Sequence, residues 1–259
     1  MRNPDKLFAV LRAKEIIKKL HIEEPKHIII EDIAAVRGVF IKEEPMSGAD
    51  GRLATLGDHG IITIRENIDI AAKKRFVIAH ELGHFELHRG EIFNIRCTDK
   101  DFFSWYKGNP LEIEANYFAA ELLMPEDIFK RRVLGKEVSK ELIESLAYEF
   151  NTSLTATSIR FVTLRPEYAL VCSESSWIKW FVVDYDHFPY YINTSGKVHN
   201  ESLAYDYYHG LDLPKHLFPV QTYAWLENRY PIKATLKELA IPIGRKYNQV
   251  LSFLLVEET

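Results

Sequence analysis

Apolar side chains recur at three- and four-residue spacing from Leu7 through Val10, Leu11, Ile17 and Leu20, with charges between them. That period predicts an amphipathic helix over residues 4–20. Two short apolar runs follow, 27–30 and 36–41, around a helical turn at 31–35, and the second run reads as a strand. Glycines at 48, 51, 57 and 60, with Asp50 and Asp58, are turn chemistry around a short strand at 52–56. The β-branched run 61–64 is a further strand. Asn67 or Asp69 then caps a long helix reaching about residue 88, with Gly90 to stop it. Asn109-Pro110 opens a second strong helix, an N-cap followed by proline at the first helical position, running to Met124. Three more follow: 126–134, one capped by Ser139, and one capped by Thr152 or Ser153 that ends near Leu164.

After Pro166 the pattern changes. Residues 168–173 and 177–184 read as strands joined by a turn at 174–176, and 188–193 as another strand. Ala224-Trp225-Leu226 reads as a short helix and 249–256 as a closing strand. The expected fold class is α+β. Residues 1–165 form a first domain that includes a helix-turn-helix-like segment at 126–165. Residues 166–259 form a small aromatic-rich β or α+β domain.

Composition supports that division. Phe, Trp and Tyr number 15 in residues 1–165 and 17 in the much shorter remainder, while Lys+Arg falls from 25 to 8. With 47% hydrophobic and 27% charged residues, the chain builds a core and is not intrinsically disordered. A net charge of -4 leaves no global basic footprint for nucleic acid. The two cysteines, Cys97 and Cys172, form no disulfide framework. The N-terminus lacks signal-peptide character, and no apolar run approaches a membrane span. The expectation is a soluble cytoplasmic protein with no membrane partner.

Candidate chemistry sits on the long helix. His80-Glu81-Leu82-Gly83-His84 matches His-Glu-x-x-His. Histidines four apart lie about 40° apart around a helix and about 6 Å along it, so both imidazoles can grip one ion. Zn2+ is the typical occupant. Glu81 lies beside them as a general base for a metal-activated water. Ile78 and Ala79 keep other faces apolar, which disfavours a merely solvated His/Glu face. His88 extends the stripe one turn further, too far from His80 for comfortable sharing of one metal, and reads as a structural or supporting histidine.

A third ligand must come from elsewhere. In N-P-L-E-I-E-A-N-Y-F-A-A-E-L-L-M-P, residues Glu112, Ala115, Asn116 and Ala119 share one helix face. Small alanines there permit close approach to the histidine helix, and Asn116 can hydrogen-bond a ligand histidine. Glu112 is the preferred ligand and Glu114 the rival. Asn109-x-x-Glu112 is also a capping-box pattern, which offers Glu112 a purely local role. Glu121 reads as a solvated helix charge.

The two motifs, R-F-V-I-A-H-E-L-G-H-F-E-L-H and E-I-E-A-N-Y-F-A-A-E-L-L-M-P, in this order resemble the ImmA/IrrE family of zinc metallopeptidases over roughly residues 5–165. The resemblance implies a compact zincin-like fold, with His80, His84 and a glutamate holding zinc and Glu81 as general base. The related Glu-x-x-Ala-Asp/Asn pattern favours Glu112, with Asn116 where many relatives have Asp. It also implies cleavage of helix-turn-helix repressors, relieving repression after DNA damage or in mobile elements. No catalytic pattern transfers to 166–259.

On this reading the peptide lies extended along the strand ending at Ile64, adding to a free sheet edge. His88, Tyr106 and backbone N–H groups are the candidate oxyanion donors, and the aromatic loop 91–108 can line or cover the cleft. The alternative is a DNA-binding or protein-interaction regulator with a vestigial metal site. Against direct DNA binding, the helix at 153–164 offers Arg160 as its only basic residue. The Lys130-Arg131-Arg132 run reads as a solvated face. The aromatic residues of 166–259 either fill a small core or line a sensor or interaction surface.

Overall fold

The computed structural model describes residues 3–89, 95–97, 109–194, 196–227, 234–244 and 248–258. It is a mixed α+β chain: a helical N-terminal part with a small sheet, then a five-stranded antiparallel sheet. Two compact units emerge: Met1–Arg132 with Glu149–Ser153, and Val133–Tyr148 with Leu154–Thr259. The helical stretch 126–165 is therefore divided between them.

The first unit opens with helix α1 (Lys6–Lys19), whose N-cap Asp5 accepts a hydrogen bond from the Phe8 N–H at 2.9 Å. A 3-10 turn at Pro25–His27 leads into α2 (Ile30–Val36) and then β1 (Val39–Glu44). Strands β2 (Gly51–Leu56) and β3 (His59–Arg65) form a hairpin. Gly57 supplies the φ of +58° that its two-residue loop uses. Helix α3 (Ala71–Leu87), β4 (Ile95–Cys97), α4 (Pro110–Leu123) and α5 (Glu126–Val133) follow.

The sheet order is β1-β3-β2-β4, with β1 parallel to β3 and the other pairs antiparallel. The strand ending at Ile64 is thus interior, paired on both sides, and offers no edge to a peptide. The cause is the path of the chain, which leaves β1, skips one strand position to form β2, and returns as β3 between the two. Among the described residues the sheet edges are β1 and β4.

Helix α3 is buried along most of its length. Val77, Ile78, Ala79, Leu82 and Phe85 have essentially no exposure. Phe85 lies against the bare Cα of Gly60, where a Cβ would sit 3.0 Å from its ring. The side chain of Glu86, 0% exposed, is gripped by Arg12 Nη2 at 2.7 Å and Arg37 Nε at 2.8 Å. That cluster ties α1 and the end of α2 to α3. The expected cap at Asn67 or Asp69 is not used: the N-cap is Ile70, with no side-chain bond. Asn109 caps α4 as expected, accepting from the Leu111 N–H at 3.1 Å.

One charge reading needs correction. Glu121 is buried, and its carboxylate accepts the Glu126 N–H at 3.1 Å. It satisfies an orphan donor at the start of α5 rather than facing solvent. The basic run is a solvated face as expected: Lys130 and Arg131 are exposed, Lys130 pairs with Glu126 at 2.6 Å and Arg132 with Glu149 at 2.8 Å, and Arg131 donates to the Glu23 carbonyl.

Helix α6 (Lys140–Phe150), capped by the Ser139 hydroxyl, and α7 (Leu154–Leu164) come next, with Asn151 at φ +50° between them. The second unit's sheet runs β6-β5-β9-β8-β7, all antiparallel. Its strands are β5 (Tyr168–Glu174), β6 (Trp177–Val182), β7 (Phe218–Val220), β8 (Ala234–Ile243) and β9 (Gln249–Glu258), with helix α8 (Leu203–Tyr208) between β6 and β7. Ser175 and Ser176 both take positive φ, as the tight β5–β6 hairpin requires. Residues 188–193 form no strand. Phe188 and Ile192 instead anchor in the core, and Ile192 makes one bridge to Leu226. The expected helix at Ala224 to Leu226 is a 3-10 turn, Thr222–Ala224. Trp225, 0% exposed, packs with Leu236, Ala240 and Leu254. The aromatic residues divide: Tyr168, Phe188, Trp225 and Phe253 are buried, while Trp177, Tyr185, Tyr191, Phe218 and Tyr223 are exposed. No described helix is long and apolar enough to cross a membrane.

Candidate metal centre

The site rests on the close approach of α3 and α4. Gly83 makes it possible: a Cβ there would lie 3.2 Å from the Ala115 Cα and 3.0 Å from the Phe118 ring. With glycine on one helix and alanine on the other, the backbones approach until short polar side chains meet. Both His80 and Glu81 are fully buried and His84 is 1% exposed, so the motif is not a solvated face.

Glu112, from the first turn of α4, completes a group. Its Oε2 lies 3.0 Å from His80 Nε2, and its Oε1 lies 3.4 Å from His84 Nε2. The two Nε2 atoms are 3.1 Å apart. Four ligands arranged tetrahedrally at about 2.0–2.1 Å from zinc are separated by roughly 3.3–3.4 Å. The observed spacings, with one Glu112 oxygen toward each histidine, are of that order. Among the described residues these three form the group of His, Cys, Asp and Glu side chains able to hold a metal, with their ligand atoms all within 4.8 Å of one another.

Protonation agrees with that role. Asn116 Oδ1 sits 2.9 Å from His80 Nδ1 and accepts its proton, which turns His80 Nε2 toward the group. Burial pushes His84 down to about 4, outweighing the pull of Glu112, so the ring is neutral near pH 7. Burial alone opposes charge on Glu112, yet contacts with His80 and His84 hold its pKa well below the usual carboxylate range. Two imidazoles and a carboxylate are a donor set suited to a divalent ion, with a fourth position left for water or substrate.

Of the two carboxylates the sequence left open, Glu112 joins the histidines. Glu114 is turned elsewhere: its Oε2 lies 2.8 Å from His88 Nε2, and its Oε1 accepts the Asp5 N–H at 2.6 Å. His88 Nδ1 in turn lies 3.1 Å from His84 Nδ1. His88 is 2% exposed and committed on both ring nitrogens, which removes it from the oxyanion candidates. Tyr106 and the loop 91–108, apart from β4, lie outside the described residues.

Glu81 lies at the start of β2. A Cβ on Gly51 would sit 2.6 Å from Glu81 Oε1 and 2.6 Å from a Val77 methyl. Sequence reasoning read Gly51 as turn chemistry only. The signal for its second role is tertiary and invisible to local pattern.

Comparison with known proteins places the site in context. Residues 34–162 match the IrrE N-terminal-like domain family. Metallopeptidase ImmA of Bacillus subtilis (strain 168) is 30% identical over 103 residues, covering 38% of this chain and 54% of that protein. The chain thus aligns with about half the length of this curated relative. Among solved structures, a Mycobacterium tuberculosis transcriptional regulator superposes with a TM-score of 0.58 at 11% identity, covering 96% of this chain and 87% of that one. At that identity the likeness is one of fold.

Proposed function

From the IrrE N-terminal-like domain that residues 34–162 carry, and the buried His-His-Glu group within it, we propose that this protein is a zinc-dependent endopeptidase with a zincin-like core that cleaves a helix-turn-helix repressor. The observation that carries the reading is the buried convergence of His80 Nε2, His84 Nε2 and the Glu112 carboxylate, which turns one oxygen toward each histidine. A divalent metal bound there supplies a Lewis acid that acidifies a water and polarises a scissile carbonyl.

The chain's own residues do the rest. His80, oriented by Asn116, together with His84 and Glu112 would hold the ion, and the Glu112 carboxylate would neutralise part of its charge. Glu81 takes a proton on its carboxylate and returns it to the leaving amine. Packing between α3 and the bare Cα of Gly51 limits where that carboxylate can go, which favours one working position. With β3 interior, an extended substrate has the β4 or β1 edge to join. A protein rather than DNA as partner is favoured by Arg160, the basic residue of α7, which is buried at 8% exposure.

The test is metal analysis of wild type and Glu81→Gln, with cleavage assayed on a purified helix-turn-helix repressor. Near-stoichiometric zinc is expected in both proteins, and a fall in cleavage of roughly 10²–10⁴-fold or more in the variant. Retained cleavage by Glu81→Gln removes the general-base assignment. Absence of bound metal in wild type removes the peptidase reading.

A further inference from the structure

Lys73, Val77 and Glu81, spaced four apart, lie along one side of α3. Residues 50 and 51 run against that side in order. Gly51 meets its later part: a Cβ there would sit 2.6 Å from a Val77 methyl and 2.6 Å from Glu81 Oε1. Asp50 meets its first turn, with Lys73 Nζ 2.7 Å from Asp50 Oδ2. The other carboxylate oxygen, Oδ1, pairs with Arg65 Nη2 at the end of β3, and the Asp50 carbonyl accepts the Arg65 N–H at 3.0 Å. Asp50 is 2% exposed. We propose that Asp50 and Lys73 are positioning residues for Glu81: they clamp the start of β2 to the first turn of α3 and so hold Gly51 against the Glu81 carboxylate. The proposal rests on the peptidase reading above, in which Glu81 handles the proton, and extends it to two residues outside the metal group.

The two ion pairs have different consequences. Asp50 and Arg65 are already joined through their backbones, so their side-chain pair stays within the sheet. Lys73 belongs to α3, so its pair with Asp50 crosses from sheet to helix and sets their separation at this end. Residues 45–50, which lead into β2, form neither helix nor strand, so no regular element ahead of Gly51 substitutes for the clamp. Glycine at position 51 removes the side chain that would push Glu81 away. The clamp removes the freedom of the backbone to drift off it. A general base must stand within hydrogen-bond reach of its proton, and a misplacement of about 1 Å costs on the order of 10²-fold in rate. Removing Lys73 tests this without leaving a buried charge unpaired, because Asp50 keeps Arg65.

Lys73→Met keeps an unbranched side chain and removes the charge, while Lys73→Arg keeps the charge. Asp50→Asn weakens both pairs. Crystal structures of these proteins give the separation of the Glu81 carboxylate from the Gly51 Cα. Cleavage of a purified helix-turn-helix repressor gives kcat and KM, and chelator competition gives Zn2+ affinity. In Lys73→Met the carboxylate is expected to withdraw from Gly51 by about 1 Å, with kcat lowered about 10²-fold and KM and Zn2+ affinity unchanged. Lys73→Arg is expected to restore both position and kcat, and Asp50→Asn to repeat the Lys73→Met result. In a Glu81→Gln background, Lys73→Met is expected to change the residual rate little, because the group being positioned is gone.

A clamp that serves the fold alone lowers stability toward urea and leaves Glu81 in place. A Glu81 carboxylate that stays against Gly51 in Lys73→Met therefore overturns the proposal. If that protein does not fold, Asp50→Asn decides by the same measurement. An equal fall in rate from Lys73→Met with and without Glu81 overturns it as well. A wild type that cleaves no repressor counts against the peptidase reading, while the crystal structures still decide whether the clamp holds Glu81.

Discussion

Gly83 on α3 lies so near Ala115 on α4 that a Cβ would come within 3.2 Å of the Ala115 Cα and of its carbonyl oxygen. The ligands sit on either side of this contact: His80 and His84 flank Gly83, and Glu112 lies one turn before Ala115. Separating the helices therefore lengthens the Glu112 to histidine distances of 3.0 and 3.4 Å directly.

Gly83→Val tests this coupling. A β-branched side chain has nowhere to go between Phe118 and the α4 backbone, and overpacking of this kind costs about 1–3 kcal/mol. Urea unfolding should show that loss, and Zn2+ affinity should fall with it. Gly83→Ala should be milder, since helix propensity offsets about 0.5–1 kcal/mol. Wild-type Zn2+ affinity in Gly83→Val would break the link between helix spacing and the site.

The metal-free protein should lose stability in acid, beginning with His84. Burial lowers this group to about 4 against an ordinary 6.5. Between those values the unfolded chain binds a proton that the folded chain refuses, so stability rises with pH across the window. His84 costs nothing above about pH 6.5, and on the order of 3 kcal/mol once pH reaches about 4. Glu112, held low, contributes stability above the ordinary carboxylate range that is lost further into acid. Urea unfolding in chelator at several pH values, compared with His84→Gln, measures the first window. An unchanged slope between pH 6.5 and 4 in the variant would count against a buried neutral His84.

How much of this was legible in the sequence depends on whether a residue answers to its neighbours in the chain or to distant ones. The His-Glu-x-x-His spacing and the Asn109-Pro110 start are local, and the helices stand where those signals place them. Asn67 and Asp69 carry the same kind of local signal, yet the helix starts later, at Ile70, without a side-chain cap. Parallel pairing of β1 with β3 depends on a crossover, and no residue in 61–64 announces that the strand is interior. Strand β8 went unread because Lys237-Glu238-Leu239-Ala240 has helical character and Pro242 reads as a strand breaker. Glu238 belongs there only because a distant tryptophan, a serine and two backbone amides converge on it.

Asn116 offers a cleaner test of the site than the ligands themselves. Its Oδ1 holds His80 through Nδ1 at 2.9 Å without touching the metal position. Asn116→Ala should leave the fold intact and lower Zn2+ affinity about 10–100-fold. Asn116→Asp keeps the acceptor and adds charge, so affinity should be kept or raised. Isothermal titration or chelator competition distinguishes the two. Equal affinity of Asn116→Ala and wild type would show that His80 is oriented by other contacts.

In the second unit the decisive residue is Glu238, fully buried on β8. Its Oε2 accepts from Trp225 Nε1 at 2.7 Å and the Leu203 N–H at 2.8 Å, and its Oε1 from Ser252 Oγ at 2.8 Å and the Ala204 N–H at 3.1 Å. Burial raises its pKa while these four donors pull the other way. A carboxylate is the one side chain that accepts on both oxygens and donates nothing. Glu238→Gln, though isosteric, is best placed with its NH2 toward Ser252, whose hydroxyl can turn to accept, and still leaves the Ala204 N–H without its acceptor in the core. Such a loss costs about 1–3 kcal/mol, and the variant should be destabilised by that amount. Tryptophan fluorescence during urea unfolding, with Trp105, Trp177 and Trp180 replaced by Phe, reports on Trp225. Zn2+ affinity, set by residues of the other unit, should stay at the wild-type value. A Glu238→Gln protein as stable as wild type would mean that fewer donors converge on this carboxylate than the geometry assigns.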